Sequence, residues 1–180
     1  MKATGIVRRI DDLGRVVIPK EIRRTMRIRE GDPLEIFTEA DGTVLFKKYS
    51  PVGELAPQAA QYAEVLSKAT GLGVLVSDRD RIVAAAGLPR REVLEKRVSA
   101  GLDEVMQQRR THVACAGDGA RLQPIDGVPR FAGVAAPIIA AGDVSGAVCL
   151  LLPENGAVPS DGEHKLAQVA ASFLGKQLEG

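Results

Sequence analysis

The hydrophobic pattern of the chain starts in short alternating runs. Residues 4–10 (TGIVRRI) and 15–18 (RVVI) are rich in β-branched residues and predict two short strands. Asp11-Asp12-Leu13-Gly14 makes the bend between them, with Gly14 free to take positive φ. Pro19 suits the first position of a helix over about 20–27, because a missing N–H costs nothing there. Ile22 and Met26 share one face of that helix, and Arg23, Arg24 and Arg27 lie mostly off it. Gly31 and Pro33 are expected to stop it. Leu34-Glu35-Ile36-Phe37-Thr38 and Thr43-Val44-Leu45-Phe46-Lys47 flank Asp41-Gly42, a strong hairpin signal.

After residue 50 the period changes. Leu55, Ala59, Tyr62, Leu66 and Ala69 form a helical stripe, with Pro57 near its start and Gly71 as its stop. Ala56, Ala60 and Ala63 flank it, so a helix partner could approach closely. Val74-Leu75-Val76 and Ile82-Val83-Ala84 predict strands around the turn Ser77-Asp78-Arg79-Asp80. A helix is expected over about 90–108, with Leu94, Val98, Leu102 and Val105 turned inward. Val113-Ala114-Cys115 reads as a strand, and the glycine- and proline-rich residues 116–130 as a loop. Phe131–Ile139 and Val144–Leu152 are near-continuously apolar, as central strands covered on both faces are. Ser160 and Glu163 offer a capping box for a last helix over 161–179, with Leu166, Val169, Phe173 and Leu174 as its apolar side.

Two domains follow: 1–50, then a linker at 51–56, then 57–180. About 50 residues without a disulfide and with few aromatics rarely bury enough apolar surface to fold alone, and association is the natural remedy. The second part reads as an α+β sensor-like domain; its element order fits GAF, PAS and roadblock-like folds equally.

Charge sharpens the picture of the first part. Over residues 1–29 nine bases stand against three acids, whereas the 180-residue chain carries only +1 overall. That local excess suggests a surface for nucleic-acid phosphates. The rest of the composition, 26% charged and 45% hydrophobic, is that of an ordinary globular protein. Neither a transmembrane run nor a signal-peptide core is present in the sequence, so a cytoplasmic protein is expected. Cys115 and Cys149 lack any short pair spacing and are expected as reduced thiols, and His112 and His164 complete no zinc pattern. With no nucleophile elbow, P-loop, Rossmann fingerprint or metal-ligand spacing, neither an enzyme nor a cofactor is expected.

Thr4-Gly5-Ile6-Val7-Arg8, Asp11 through Pro19, Arg23-Arg24 and Leu34-Glu35-Ile36 closely resemble the AbrB-type looped-hinge, swapped-hairpin DNA-binding domain, over residues 1–50 almost without a gap. A GAF-like domain behind such a unit resembles transcriptional regulators of spore-forming bacteria. Beyond residue 50 the resemblance is patchier. Ser77-Asp78-Arg79-Asp80, Gln108-Arg109, Pro137-Ile138 through Gly142-Asp143, and Gly162-Glu163-His164-Lys165 carry it. It implies an α+β protein: an N-terminal swapped-hairpin β-barrel formed by dimerisation, plus a C-terminal GAF-like α/β sensor domain. It also implies activation or repression of sporulation genes in the forespore, through duplex DNA.

The resemblance carries DNA contact to Arg8, Arg15, Arg23 and Arg24, and extends it to Arg9 and Lys2. Each guanidinium is a planar fork of donors suited to phosphate oxygens or a guanine edge. The plain alternative is that these side chains only solvate a small domain or pair with Asp11, Asp12 and Glu21. Asp11 and Asp12 are expected to hold the bend and orient neighbouring arginines. The shortage of aromatics argues against single strands and for duplex DNA. Asp118, Arg121 and Gln123 lie where GAF domains cover a small-molecule effector, although an empty exposed loop fits them equally. Self-association is expected as a dimer through 1–50 and a tetramer through GAF-domain helices near 57–69 and 161–179. A rival reading is a protein-binding module of antitoxin type, since antitoxins share the swapped-hairpin fold.

Overall fold

The computed structural model describes residues 4–115 and 121–180 and divides into two compact units, Met1–Tyr49 and Ser50–Gly180. In unit 1 the chain runs without ladder pairing to a turn at Asp11–Gly14, then into α1 (Lys20–Met26). Pro19 stands one place earlier than its sequence suggests, as the N-cap, with φ −57° and ψ 148°. Arg27, not Gly31, ends the helix: it takes the left-handed conformation, and Ile28 N–H closes back on the Arg23 carbonyl at 2.7 Å. Lys48 Nζ then donates to the Arg27 carbonyl at 2.9 Å and reaches Asp32 at 3.5 Å, tying the helix end to a hairpin. That hairpin pairs β1 (Leu34–Thr38) with β2 (Val44–Lys48) in antiparallel register, Ile36 opposite Phe46. Its turn forms where Asp41-Gly42 puts it, with Thr43 N–H on Asp41 Oδ1.

The strands expected at 4–10 and 15–18 are not formed. Only the bend carries backbone-to-backbone bonds, and a lone two-stranded ribbon with no covering face is at most marginally stable. Among the described residues of unit 1 only Pro19 is buried. Val7, Ile10, Leu13 and Val17 are all at least 69% exposed, and Ile36 and Val44 are also open to solvent. The chain alone therefore closes neither a barrel nor a core here.

Unit 2 begins without a slack connector. Ser50 caps α2 (Pro51–Glu54), and Val52, within the stretch expected as a linker, is 1% exposed in the core. α3 (Ala56–Thr70) follows, ending at Gly71 with φ 71°. Then come β3 (Val74–Asp78), β4 (Ile82–Ala86), α4 (Ala100–Gln108), β5 (His112–Val113), β6 (Ala132–Ala140), β7 (Asp143–Leu151) and α5 (Asp161–Leu178). The sheet order is β4-β3-β7-β6-β5, antiparallel throughout. α2, α3 and α5 cover one face over Val74, Val76, Val134, Ile138 and Leu150. α4 and the loops around it cover the other, over Leu75, Ile82, Ala135 and Cys149. Both faces are buried, which explains the unbroken apolar runs of β6 and β7.

Two expectations shift. The helix over 90–108 is only a 3₁₀ turn at Arg90–Glu92 and then α4, because Ser99 caps α4 through Leu102 N–H at 3.0 Å and the chain before it is extended. The inner face of α5 is small: Ala167, Ala170, Ala171, Leu174 and Gly175 are buried, and Leu166, Val169 and Phe173 face outward. Gly175 lies so close to the Ile139 carbonyl that a Cβ there would overlap it, so the helix packs near backbone distance. The capping box of Ser160 and Glu163 forms as the sequence indicates.

Candidate nucleic-acid interface

Asp11 organises the basic bend. Its Oδ1 accepts from Leu13 N–H (3.0 Å) and Arg15 N–H (2.8 Å), and its Oδ2 from Arg15 Nε (2.8 Å). Gly14 N–H returns to the Asp11 carbonyl, and Asp11 N–H donates to that of Arg15. One carboxylate thus ties down the amides of Leu13 and Arg15 and aims one guanidinium. Arg15 N–H foremost, and then its guanidinium, hold the Asp11 carboxyl below its usual range. Gly14 takes φ 75°, where a Cβ would be strained. The ion pair itself is exposed and by itself worth little; its effect is geometric.

Arg8 and Arg9 precede the bend and are exposed, Arg8 reaching only its neighbour's carbonyl, Val7 O, at 3.4 Å. Arg23 and Arg24 lie in the last turn of α1 and are exposed. Five of the six predicted DNA contacts therefore lie on the surface of one unit, two on a helix and three at or beside the bend. Lys2 lies outside the described residues.

The effector-loop residues fare differently. Asp118 lies outside the described residues. Gln123 Nε2 donates to the Val128 carbonyl, and the Arg121 guanidinium sits 5.7 Å from the centre of the Phe131 ring, so both serve their own loop. Among the described residues no three His, Cys, Asp or Glu side chains converge as a metal site requires, and no helix is long and apolar enough to cross a membrane. Ser77, expected in a turn, instead lies within β3, 1% exposed, with an Oγ lacking any hydrogen-bond partner. Only the observed fold shows that this serine faces a core.

Comparison with known proteins agrees with this division. Residues 54–179 match the model of the family "Stage V sporulation protein T C-terminal, transcription factor", and residues 7–53 match that of "Antidote-toxin recognition MazE, bacterial antitoxin". Stage V sporulation protein T of Bacillus subtilis is 47% identical over 99% of both chains. The transition state regulatory protein AbrB of the same organism is 59% identical over 28% of this chain and 52% of its own. Among solved structures, the second GAF domain of DevS from Mycobacterium smegmatis superposes with a TM-score of 0.52 at 18% identity, over 68% of this chain and 92% of its own. At that identity the likeness shows the fold alone, a GAF fold. With an AbrB-like first unit and a GAF-folded second, the chain belongs to the family of Stage V sporulation protein T transcription factors.

Proposed function

We propose that this protein is a transcriptional regulator that binds duplex DNA through residues 1–50 and controls sporulation genes in the forespore, working in the cytoplasm and not as an enzyme. The observation that carries the reading is the bend: Asp11 spends its hydrogen bonds on fixing Arg15, on a unit that also exposes Arg8, Arg9, Arg23 and Arg24. Family membership supports regulation of transcription, and the identity to AbrB over this segment supports DNA as the partner. Pre-set guanidiniums lose less freedom on docking, which favours binding. Replacing Arg15 or Arg23 by Ala is expected to remove most duplex affinity in gel shifts while leaving the assembly intact. Retained binding would overturn the reading.

Assembly is proposed at both units. In unit 1 the exposed apolar residues of the hairpins are covered by a second copy, closing the barrel. In unit 2, Val65 on α3 and Leu166, Val169 and Phe173 on α5 stay exposed, and Tyr62 stacks on Phe173 with ring centres 5.1 Å apart. That outer face suits a helix–helix contact between copies and hence a tetramer. Linking two DNA-binding dimers raises avidity without any new base contact. A small-molecule effector is proposed for unit 2, and a thermal-shift screen against common metabolites tests it.

The match to the MazE model favours one rival, a swapped-hairpin module that captures a toxin protein. It covers residues 7–53 only, whereas the remainder folds into the GAF unit rather than a wrapping tail. Co-purification with a small toxin, and no duplex affinity, would turn the assignment to this rival.

A further inference from the structure

Beside β4, residues 95–98 form a short unlabelled edge. Ile82 N–H donates to the Lys96 carbonyl (3.0 Å), Glu95 N–H to that of Ile82 (2.9 Å) and Val98 N–H to that of Asp80 (2.9 Å). Bonds on both sides of them leave Arg81 and Arg97 directly opposed in an antiparallel bridge. This is the non-hydrogen-bonded kind of pair, the closer of the two, with Cα atoms about 4.5 Å apart and side chains on one face. Ile82 and Val98, the next residues along, are buried in the α4-side core. Alternation therefore turns both arginines outward, and both are exposed.

Like charges directly opposite each other destabilise a ribbon. The nearest acids do little to cancel these two. Glu95 Oε2 lies 3.4 Å from Arg81, but in an exposed pair, where such contacts are weak. Asp78 spends its Oδ1 on the Asp80 and Arg81 N–H groups and its Oδ2 on the Ser50 hydroxyl, and with Arg79 and Lys96 the two short segments carry four cations against Asp78, Asp80 and Glu95. A phosphodiester placed between two planar forks would turn the repulsion into paired charge-assisted hydrogen bonds. The site is an open surface rather than a pocket, which suits a polymer backbone better than a small anion.

We propose that Arg81 and Arg97 form a second phosphate clamp, on unit 2, that takes the sugar–phosphate backbone of DNA bound by unit 1. The proposal rests on the reading of unit 1 as a duplex binder. The double variant Arg81→Gln/Arg97→Gln of the full-length protein tests it, by fluorescence anisotropy against one central site carried on a short and on a long duplex, across a range of KCl concentrations. Wild type is expected to prefer the long duplex. The variant should lose that preference and keep its short-duplex affinity. Its log–log salt slope on the long duplex should be shallower by about two for each protomer that docks. Its thermal midpoint at low salt should not fall, since a like-charge pair has been removed. Arg97→Lys, which keeps the charge, should retain most of the slope. A variant that matches wild type in slope and long-duplex affinity overturns the clamp. Stabilisation of wild type by inorganic phosphate, with affinity independent of duplex length, overturns the assignment to DNA. If wild type binds no duplex at all, the reading of unit 1 has failed instead.

Discussion

Ile10→Ala probes whether the open hairpin of unit 1 is closed by a second chain. Ile10 stands beside the Asp11 bend and is 69% exposed in the single chain, so most of its surface is still available for burial on assembly. The substitution removes three carbons, worth about 2.4 kcal/mol at ~0.8 kcal/mol per buried CH₂. The fraction that assembly newly covers brings this to about 1.7 kcal/mol in each protomer. A two-fold interface carries the residue twice, so the contact should weaken by about 3 kcal/mol, or roughly two decades in Kd. Sedimentation velocity over a wide concentration range reads this directly. Wild type should stay fully assembled at concentrations where the variant has come apart at unit 1, its largest species halved in mass. Identical distributions for the two proteins would refute the reasoning, because they would leave Ile10 and its neighbours simply exposed.

Two further outcomes follow from the electrostatics. The Asp11 carboxyl is held below its ordinary 3.8, so its contribution to the bend is fully present above that value and is lost as pH falls through the lower folded value. An NMR titration should find a midpoint below 3.8, and Arg15→Ala should raise it only part of the way, since the backbone N–H remains; a complete return contradicts the assignment. Burial pushes the Cys149 thiol up to about 12, whereas Cys115 is exposed. One thiol per chain should react with a disulfide reagent in the native protein and both after unfolding, and rapid reaction of both in the native state would contradict the packing of β7.

Much of the fold was legible because local signals agreed. The capping box at Ser160, the stop at Gly71, the Asp41-Gly42 turn and the apolar runs of β6 and β7 each act within a few residues. The failures share a cause outside their own stretch. Segments 4–10 and 15–18 have strand composition, but a ribbon of these two alone has no covering face in the single chain. The outward Leu166, Val169 and Phe173 resembled a core stripe because a face meant for another surface has the same period as one meant for the sheet. Ser99 starts α4 as its N-cap, although the apolar pattern runs on to its N-terminal side. In the site, Asp11 and Arg15 could be read from spacing, since a carboxylate two to four residues upstream reaches those amides. The pairing of Arg81 with Arg97 and the burial of Ser77 depend on a bridge and a sheet face that only tertiary structure brings together.

The central claim is that cations fixed on unit 1 grip duplex phosphates. Its most direct test is the dependence of duplex affinity on salt concentration for the full-length protein. The account predicts a log–log slope of about −4 or steeper, the mark of several phosphates neutralised together. An affinity that stays flat across salt, or no affinity for any duplex in dilute buffer, would contradict it.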